Sequence, residues 1–185
     1  MEEAYADLYS FLEANDQVSV PVALKLIIDA LSALEYLHDN NILHGDIKLE
    51  NFLLYPIQND EFYGQKESDM TNGFDLLLSD FETARVIKPN HICKCKRGTA
   101  GYISPEFMEG HSLPSDIYAM GVTLRYIWSR TNGQNHRIPI VEDVITSMLA
   151  EDPLARPTAK QCRVCIEYLA KRAMGTKMQS YGSSF

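Results

Sequence analysis

The sequence predicts a mainly α fold with one small β-hairpin. Residues 21–40, "PVALKLIIDALSALEYLHDN", place Leu24, Ile27, Leu31, Leu34 and Leu37 three or four residues apart, the spacing of one helix face. After Pro105, the stretches 115–130, 138–150 and 158–173 read as further helices. Between these groups, Phe52–Leu54 and the run "FDLLLSDF" at 74–81 read as strands around a polar segment closed by Asn72-Gly73. That pattern predicts a hairpin with an enlarged turn. Helices, one hairpin and then helices is a mainly α order with a minor β element.

The elements follow in order. Residues 6–14, "ADLYSFLEA", predict a short amphipathic helix. Pro21 suits the first turn of the long helix, and Asn40–Asn41 ends it. Ile42 and Leu43 form a short apolar step into the polar stretch that follows. Residues 56–73 are too long and polar for a tight hairpin turn and are expected to be an exposed insertion. Residues 85–104 lack periodicity and read as a long loop. Ser115 and Thr158 are expected N-caps. No repeat or linker divides the chain, so residues 1–174 are expected to form one unit, with 175–185 a flexible tail.

The 185 residues suit one domain with a real core, and 45% hydrophobic with 23% charged residues is globular composition. The net charge of −8 argues against broad binding to nucleic acid or an anionic membrane. The one dense basic stretch is "KCKR" at 94–97. No run of eighteen apolar residues occurs, and the acidic start "MEEAYADLYSFLE" lacks the order of a signal peptide. An intracellular compartment, cytoplasm or nucleus, is expected. The cysteines fall in two pairs, Cys93/Cys95 and Cys162/Cys165. The second pair lies in a helix-like stretch and the first is tightly spaced, so free thiols are expected rather than a zinc site.

The chemistry concentrates in "LHGDIKLENFLL" at 43–54. Asp46, Lys48 and Asn51 share a connection between a long helix and a strand. Asp can accept a proton from a hydroxyl, Lys can neutralise a transferring phosphate, and Asn can offer an oxygen to Mg²⁺. Each has a sensible place in phosphoryl transfer. Asp80, at the end of the second strand, can supply another oxygen ligand, and the hairpin can return it to the same cleft.

Taken together these motifs resemble the C-terminal lobe of a protein kinase. The family pattern H-R-D-L-x-x-x-N reads here His44-Gly45-Asp46-Ile47-Lys48-Leu49-Glu50-Asn51. D-F-G appears as Asp80-Phe81-Glu82 and A-P-E as Ser104-Pro105-Glu106. "GTAGYISPE" is similar to the end of an activation segment and contains Thr99, and "SDIYAMGV" resembles the central buried helix with Asp116 and Gly121. The resemblance runs from about residue 6 to 172. It implies Asp46 as catalytic base, Lys48 as a γ-phosphate contact of the Ser/Thr branch, and Asn51 and Asp80 as Mg²⁺ ligands. It implies packing roles for His44 and Phe81, architectural roles for Asp116 and Gly121, and a pairing of Arg156 with Glu106. ATP and Mg²⁺ are the implied cofactors.

Three departures qualify this. Gly45 replaces an Arg that binds a phosphate on the activation loop, so activation is expected not to need that contact. Glu82 replaces a Gly whose backbone freedom a side chain restricts, and adds negative charge near the expected metal. No G-x-G-x-x-G loop, strand lysine or partnering helix glutamate precedes the motifs, so the expectation is a large lobe without a small one. The sequence alone leaves two functions. One is a Ser/Thr kinase lobe, acting on a protein substrate and weak in isolation. The other is a lobe-only pseudokinase, a kinase mimic that binds and regulates kinases, their small lobes or their substrates, by analogy with truncated mimics among viral kinase relatives.

Overall fold

In the computed structural model, the described residues are 4–56, 73–88, 91–94, 98–131 and 138–174. The expected insertion, apart from its two ends, and the expected tail lie outside them, as does Cys95.

The core is built around α2 (Val20–Asp39), which follows β1 (Ala6–Asp7) and α1 (Leu8–Ala14). Leu24, Ile27, Leu31, Leu34 and Leu37 of α2 are all buried, together with Val22, Ala23, Leu26 and Ala30. The apolar stripe is therefore wider than one row of side chains. One flank of α2 packs on α5 (Ala159–Met174), burying Cys162 and Ile166. Other parts of it meet α3 (Leu113–Ser129) and the hairpin strand β4 (Phe74–Leu78). α4 (Pro139–Met148) packs on both α3 and α5 and contributes Val141, Ile145 and Met148 to the core.

Two corrections concern element starts. Residues 6 and 7 are not helical: Asp7 is the N-cap of α1, its carboxylate accepting from the Ser10 N–H at 2.8 Å. β1 instead pairs antiparallel with β3 (Phe52–Pro56), Ala6 opposite Leu54. Nor does Ser115 cap α3. Ser112 is the N-cap, and Ser115 is the third residue of its capping box. Thr158 does cap α5, its hydroxyl accepting from the Gln161 N–H at 3.2 Å while the Gln161 amide accepts from the Thr158 N–H at 2.9 Å.

The hairpin is present. β3 and β4 pair antiparallel, Leu53 opposite Leu77, giving a sheet of order β1-β3-β4. Leu54 and Leu76 face the core, whereas Leu77 is half exposed on the opposite face. The step at Ile42–Leu43 is a strand, β2. It pairs antiparallel with β5 (Arg85–Val86), a rung inside the segment expected to be pure loop. This two-residue rung pins the entry of the polar stretch that follows Leu43, and β3 takes up its far end. No helix among the described residues is long and apolar enough to cross a membrane.

Candidate active site

The polar stretch 44–51 joins β2 to β3 through a short 3-10 turn at Leu49–Asn51. Apolar anchors fix it from below: Ile47 and Leu49 are almost fully buried. Asp116, near the start of α3 and 2% exposed, fixes its entry. One carboxylate oxygen accepts from the His44 N–H at 2.8 Å, the other from the Gly45 N–H at 2.9 Å. His38, from the last turn of α2, approaches the same carboxylate at 3.3 Å. Gly45 has φ +79°, a left-handed backbone that glycine adopts without strain.

His44 is fully buried, its Nε2 3.0 Å from the Ser79 carbonyl, and its ring meets Phe81 edge-on at 5.1 Å between centroids. Ser79 donates from both its N–H and its hydroxyl to the Asn51 carbonyl, each at 2.8 Å. The Thr83 hydroxyl donates to the His44 carbonyl at 2.6 Å. The end of β4 and the turn after it are thus tied to the 44–51 stretch at several points.

The chemistry-bearing side chains converge at Asp46. Its two carboxylate oxygens accept from the Lys48 ammonium at 2.7 Å and from the Thr99 hydroxyl at 2.8 Å, and Lys48 also reaches Thr99 at 3.1 Å. Thr99 comes from 53 residues downstream. Burial pushes the Asp46 carboxyl up, but the hydrogen bonds from Lys48, Thr99 and Asn51 and the Lys48 charge outweigh it, holding it below the ordinary carboxylate range. The hydrogen bond to Asp46 raises Lys48 in turn, against its own burial, with the carboxylates of Asp46, Glu50 and Asp80 adding to it. Asp46 is therefore an ionised acceptor at neutral pH, with lone pairs to spare on each oxygen.

Asn51, 5% exposed, commits its amide nitrogen to the Asp46 carbonyl at 2.8 Å, which leaves its side-chain oxygen to meet a ligand. Asp80 is exposed and left-handed, φ +60°, and among the described residues its carboxylate accepts a long bond, 3.4 Å, from the Glu82 N–H. Among the described residues no cluster of three or more His, Cys, Asp or Glu is assembled for a metal. Two protein oxygens, completed by phosphate and water, suit Mg²⁺, which keeps much of its shell.

Glu106 and Arg156 form a bidentate pair, both bonds 2.7 Å, and Arg156 also donates to the carbonyls of Ala150, Pro114 and Glu151. The Arg156 side chain is 1% exposed. Burial raises the Glu106 carboxyl, but Arg156 and the surrounding donors pull it down to about 2. Gly121 lies where α3 touches the end of α4: a Cβ there would meet the Met148 Cβ and the Leu149 side chain at 3.0 Å.

Residues 1–138 match the family model described as "Protein kinase domain". The chain belongs to the protein kinase family. It is 30% identical over 123 residues to the serine/threonine-protein kinase PRR1 of Saccharomyces cerevisiae, covering 63% of this chain and 23% of that one. It is 26% identical over 186 residues to the meiosis-specific serine/threonine-protein kinase mek1 of Schizosaccharomyces pombe, covering 84% and 39%. It is 30% identical over 166 residues to the serine/threonine-protein kinase plk-1 of Caenorhabditis elegans, covering 78% and 23%. The chain thus spans well under half the length of these relatives.

Sequence reasoning named Asp46, Lys48, Asn51, Asp80, Thr99, His44, Phe81, Glu106, Asp116, Gly121 and Arg156. The structure gathers Asp46, Lys48, Asn51 and Thr99, places His44 against Phe81 and Asp116, and pairs Glu106 with Arg156. It gives Asp80 no direct bond to Asp46. Reading the sequence missed Ser79 and Thr83, which bond the motif's backbone, and His38, which approaches the Asp116 carboxylate that holds it. Their one visible signal is that each stands within six residues of a motif that was recognised.

Proposed function

We propose that this chain supplies the catalytic half of a Ser/Thr protein kinase, transferring the γ-phosphate of ATP to protein hydroxyls. The single observation that carries the reading is the Asp46–Lys48–Thr99 cluster, an ionised base whose lone pairs and neighbouring cation face one place. Asp46 accepts the proton of the incoming hydroxyl while keeping its bonds to Lys48 and Thr99. Lys48 offsets negative charge on the transferring group. Asn51 and Asp80 are the residues to hold Mg²⁺, which when bound neutralises phosphate oxygens. Asp116 keeps the loop in register by accepting from the backbone of His44 and Gly45.

The 185 residues contain no G-x-G-x-x-G loop, so the adenine cover and phosphate clamp come from elsewhere, another segment of a longer polypeptide or another chain. The isolated chain is therefore expected to bind ATP weakly. The test is transfer from Mg-ATP to a pool of Ser/Thr peptides, with and without a separate small lobe, compared with Asp46→Asn. Transfer that depends on the added lobe and vanishes in Asp46→Asn is expected. Micromolar ATP affinity of the chain alone by calorimetry refutes the requirement for a second lobe.

A second reading, an inactive lobe that binds a kinase or a small lobe, is favoured by one observation. Leu53 and Leu77 pair across β3 and β4 on the sheet face turned away from the core, where Leu77 is 51% exposed. Absence of transfer under every condition, with capture of a kinase small lobe that Leu77→Glu abolishes, selects it.

A further inference from the structure

We propose that His111 is a positioning residue for Asp46: its ring backs Gly98 against the 44–51 stretch, so that the next residue, Thr99, reaches the Asp46 carboxylate. What Asp46 does to a hydroxyl rests on the kinase reading, whereas its placement by His111 does not. His111 lies between the 3-10 turn at Pro105–Met108 and the start of α3, outside the motifs that identify the family, and is 6% exposed.

The ring is wedged between the segment's end and its neighbours. It meets the Phe107 ring edge-on, 5.3 Å between centroids. Its Cε1 faces Gly98: a Cβ at Gly98 would stand 3.9 Å from that atom and 3.9 Å from the Gly45 carbonyl oxygen. Gly98 is thus enclosed between the His111 ring and the residue before Asp46. Ile103, 3.6 Å from the same point, belongs to the turn that follows Thr99 and moves with it, so His111 supplies the backing from outside. With Gly98, Thr99 and Asp46 the ring lines one small cavity. Thr99, carried by Gly98, donates to Asp46 at 2.8 Å and accepts from Lys48 at 3.1 Å.

The backbone of His111 is held in turn. It exchanges two hydrogen bonds with the backbone of Cys93, 2.7 and 2.8 Å. Gly110 makes room for that rung: a Cβ there would lie 2.6 Å from the Ile92 Cγ2 and 2.7 Å from the Cys93 carbonyl oxygen, and a carbonyl in a rung cannot rotate away. The ring itself acts by shape. Its Nε2 is buried and makes no hydrogen bond among the described residues. A carbon ring in its place therefore strands no polar partner. Phe should serve at position 111, and Ala should not.

The experiment reads the Thr99 side chain by NMR without nucleotide, so it does not depend on phosphoryl transfer. Three-bond couplings report whether Thr99 holds one χ1 rotamer, as a hydroxyl bonded to Asp46 and Lys48 requires. In His111→Ala the couplings should average while a thermal melt stays cooperative, and in His111→Phe they should return to the single-rotamer values. Gly110→Ala keeps the ring but opens the rung: Cys93 amide exchange should quicken about tenfold or more, and the Thr99 couplings should average again. With a small lobe supplied, His111→Ala should lower kcat for transfer about tenfold or more and leave KM for ATP unchanged, the sign of misplacement rather than lost binding. If His111→Ala fails to fold, Gly110→Ala and His111→Phe decide. A single Thr99 rotamer in folded His111→Ala, or in Gly110→Ala with the rung open, overturns the proposal. So does His111→Phe that averages as Ala does, which gives the role to a ring nitrogen. Averaged couplings rescued by Phe, with no transfer under any condition, uphold the positioning role and remove the kinase reading.

Discussion

Replacing Glu106 by Gln tests the anchor that ties the segment before α3 to the turn before α5. In the folded chain Glu106 is held at about 2 from an ordinary 4.5. That displacement equals about 3 kcal/mol at 1.36 per unit, and water at the rim of the pair screens it to ~1–2 kcal/mol. The folded value is depressed, so the contribution is fully present above about pH 4.5 and is lost as pH falls toward about 2. Gln keeps an acceptor for Ser115 and Arg156 but removes the charge facing a guanidinium that is 1% exposed. Arg156 retains three backbone carbonyls, so the cost at pH 7 is about 2–3 kcal/mol, below the ~3–5 of a fully orphaned buried charge. Urea unfolding of both chains gives the difference directly. It should shrink by about 1 kcal/mol between pH 7 and pH 3, because the native chain still ionises Glu106 there while the unfolded chain does not. A gap that stays constant over that range refutes the ion-pair account, and a gap below about 0.5 kcal/mol at pH 7 refutes the anchor itself.

Other outcomes follow from single sites. Gly121→Ala gains up to ~1 kcal/mol of helix propensity but forces a Cβ against the Met148 Cβ, which cannot rotate away. The net should be a loss of about 1–2 kcal/mol in urea unfolding, and a stabilised variant contradicts the close approach. Lys48→Met removes a hydrogen bond and a charge from Asp46, so the Asp46 carboxyl should titrate at higher pH by carbon-detected NMR, and any phosphate transfer should fall by about 10²-fold or more. An unmoved Asp46 titration contradicts the geometry. Burial pushes the Cys162 thiol up to about 12, so maleimide at pH 7 should modify it only after denaturant is added; labelling of Cys162 at the denatured rate in native protein contradicts its burial.

What was legible in the sequence depended on how local its cause is. The long helix was read as 21–40 and runs from Val20 to Asp39, because its stripe, its Pro and its terminal Asn pair all lie within the segment itself. The start of α3 was missed because Ser112 and Ser115 are equally good caps by type. Ser115 is drawn instead into the capping box and into a 3.0 Å bond to Glu106, a partner supplied by tertiary structure. Strands β2 and β5 have two residues each, too few to show a period, and exist because the chain returns beside Asn41 at Ile87. The site divides in the same way. Asp46, Lys48 and Asn51 lie within six positions and announce their chemistry, whereas the Thr99 bond to Asp46 and the His38 approach to Asp116 join residues 53 and 78 apart.

The two departures from the family motif exchange their significance once the backbone is seen. Glu82 was expected to suffer where glycine is usual, but the left-handed non-glycine residues among those described are Asn41 and Asp80. Asp tolerates that conformation better than most residues because its short polar side chain can bond locally, as the long contact with the Glu82 N–H illustrates. Position 82 therefore has no backbone need for glycine, and Glu82 acts only through an exposed, solvent-screened charge. Gly45 is the residue with a backbone reason: at φ +79° any side chain would be strained, and its N–H is held by Asp116. Glycine there removes strain and a phosphate-binding cation at once. The downstream segment is then fastened by the Cys93–His111 rung, the Thr99–Asp46 bond and the Glu106–Arg156 pair. None of these three contacts needs a phosphate, so the described residues Cys93, Thr99 and Glu106 are fastened in the unmodified chain.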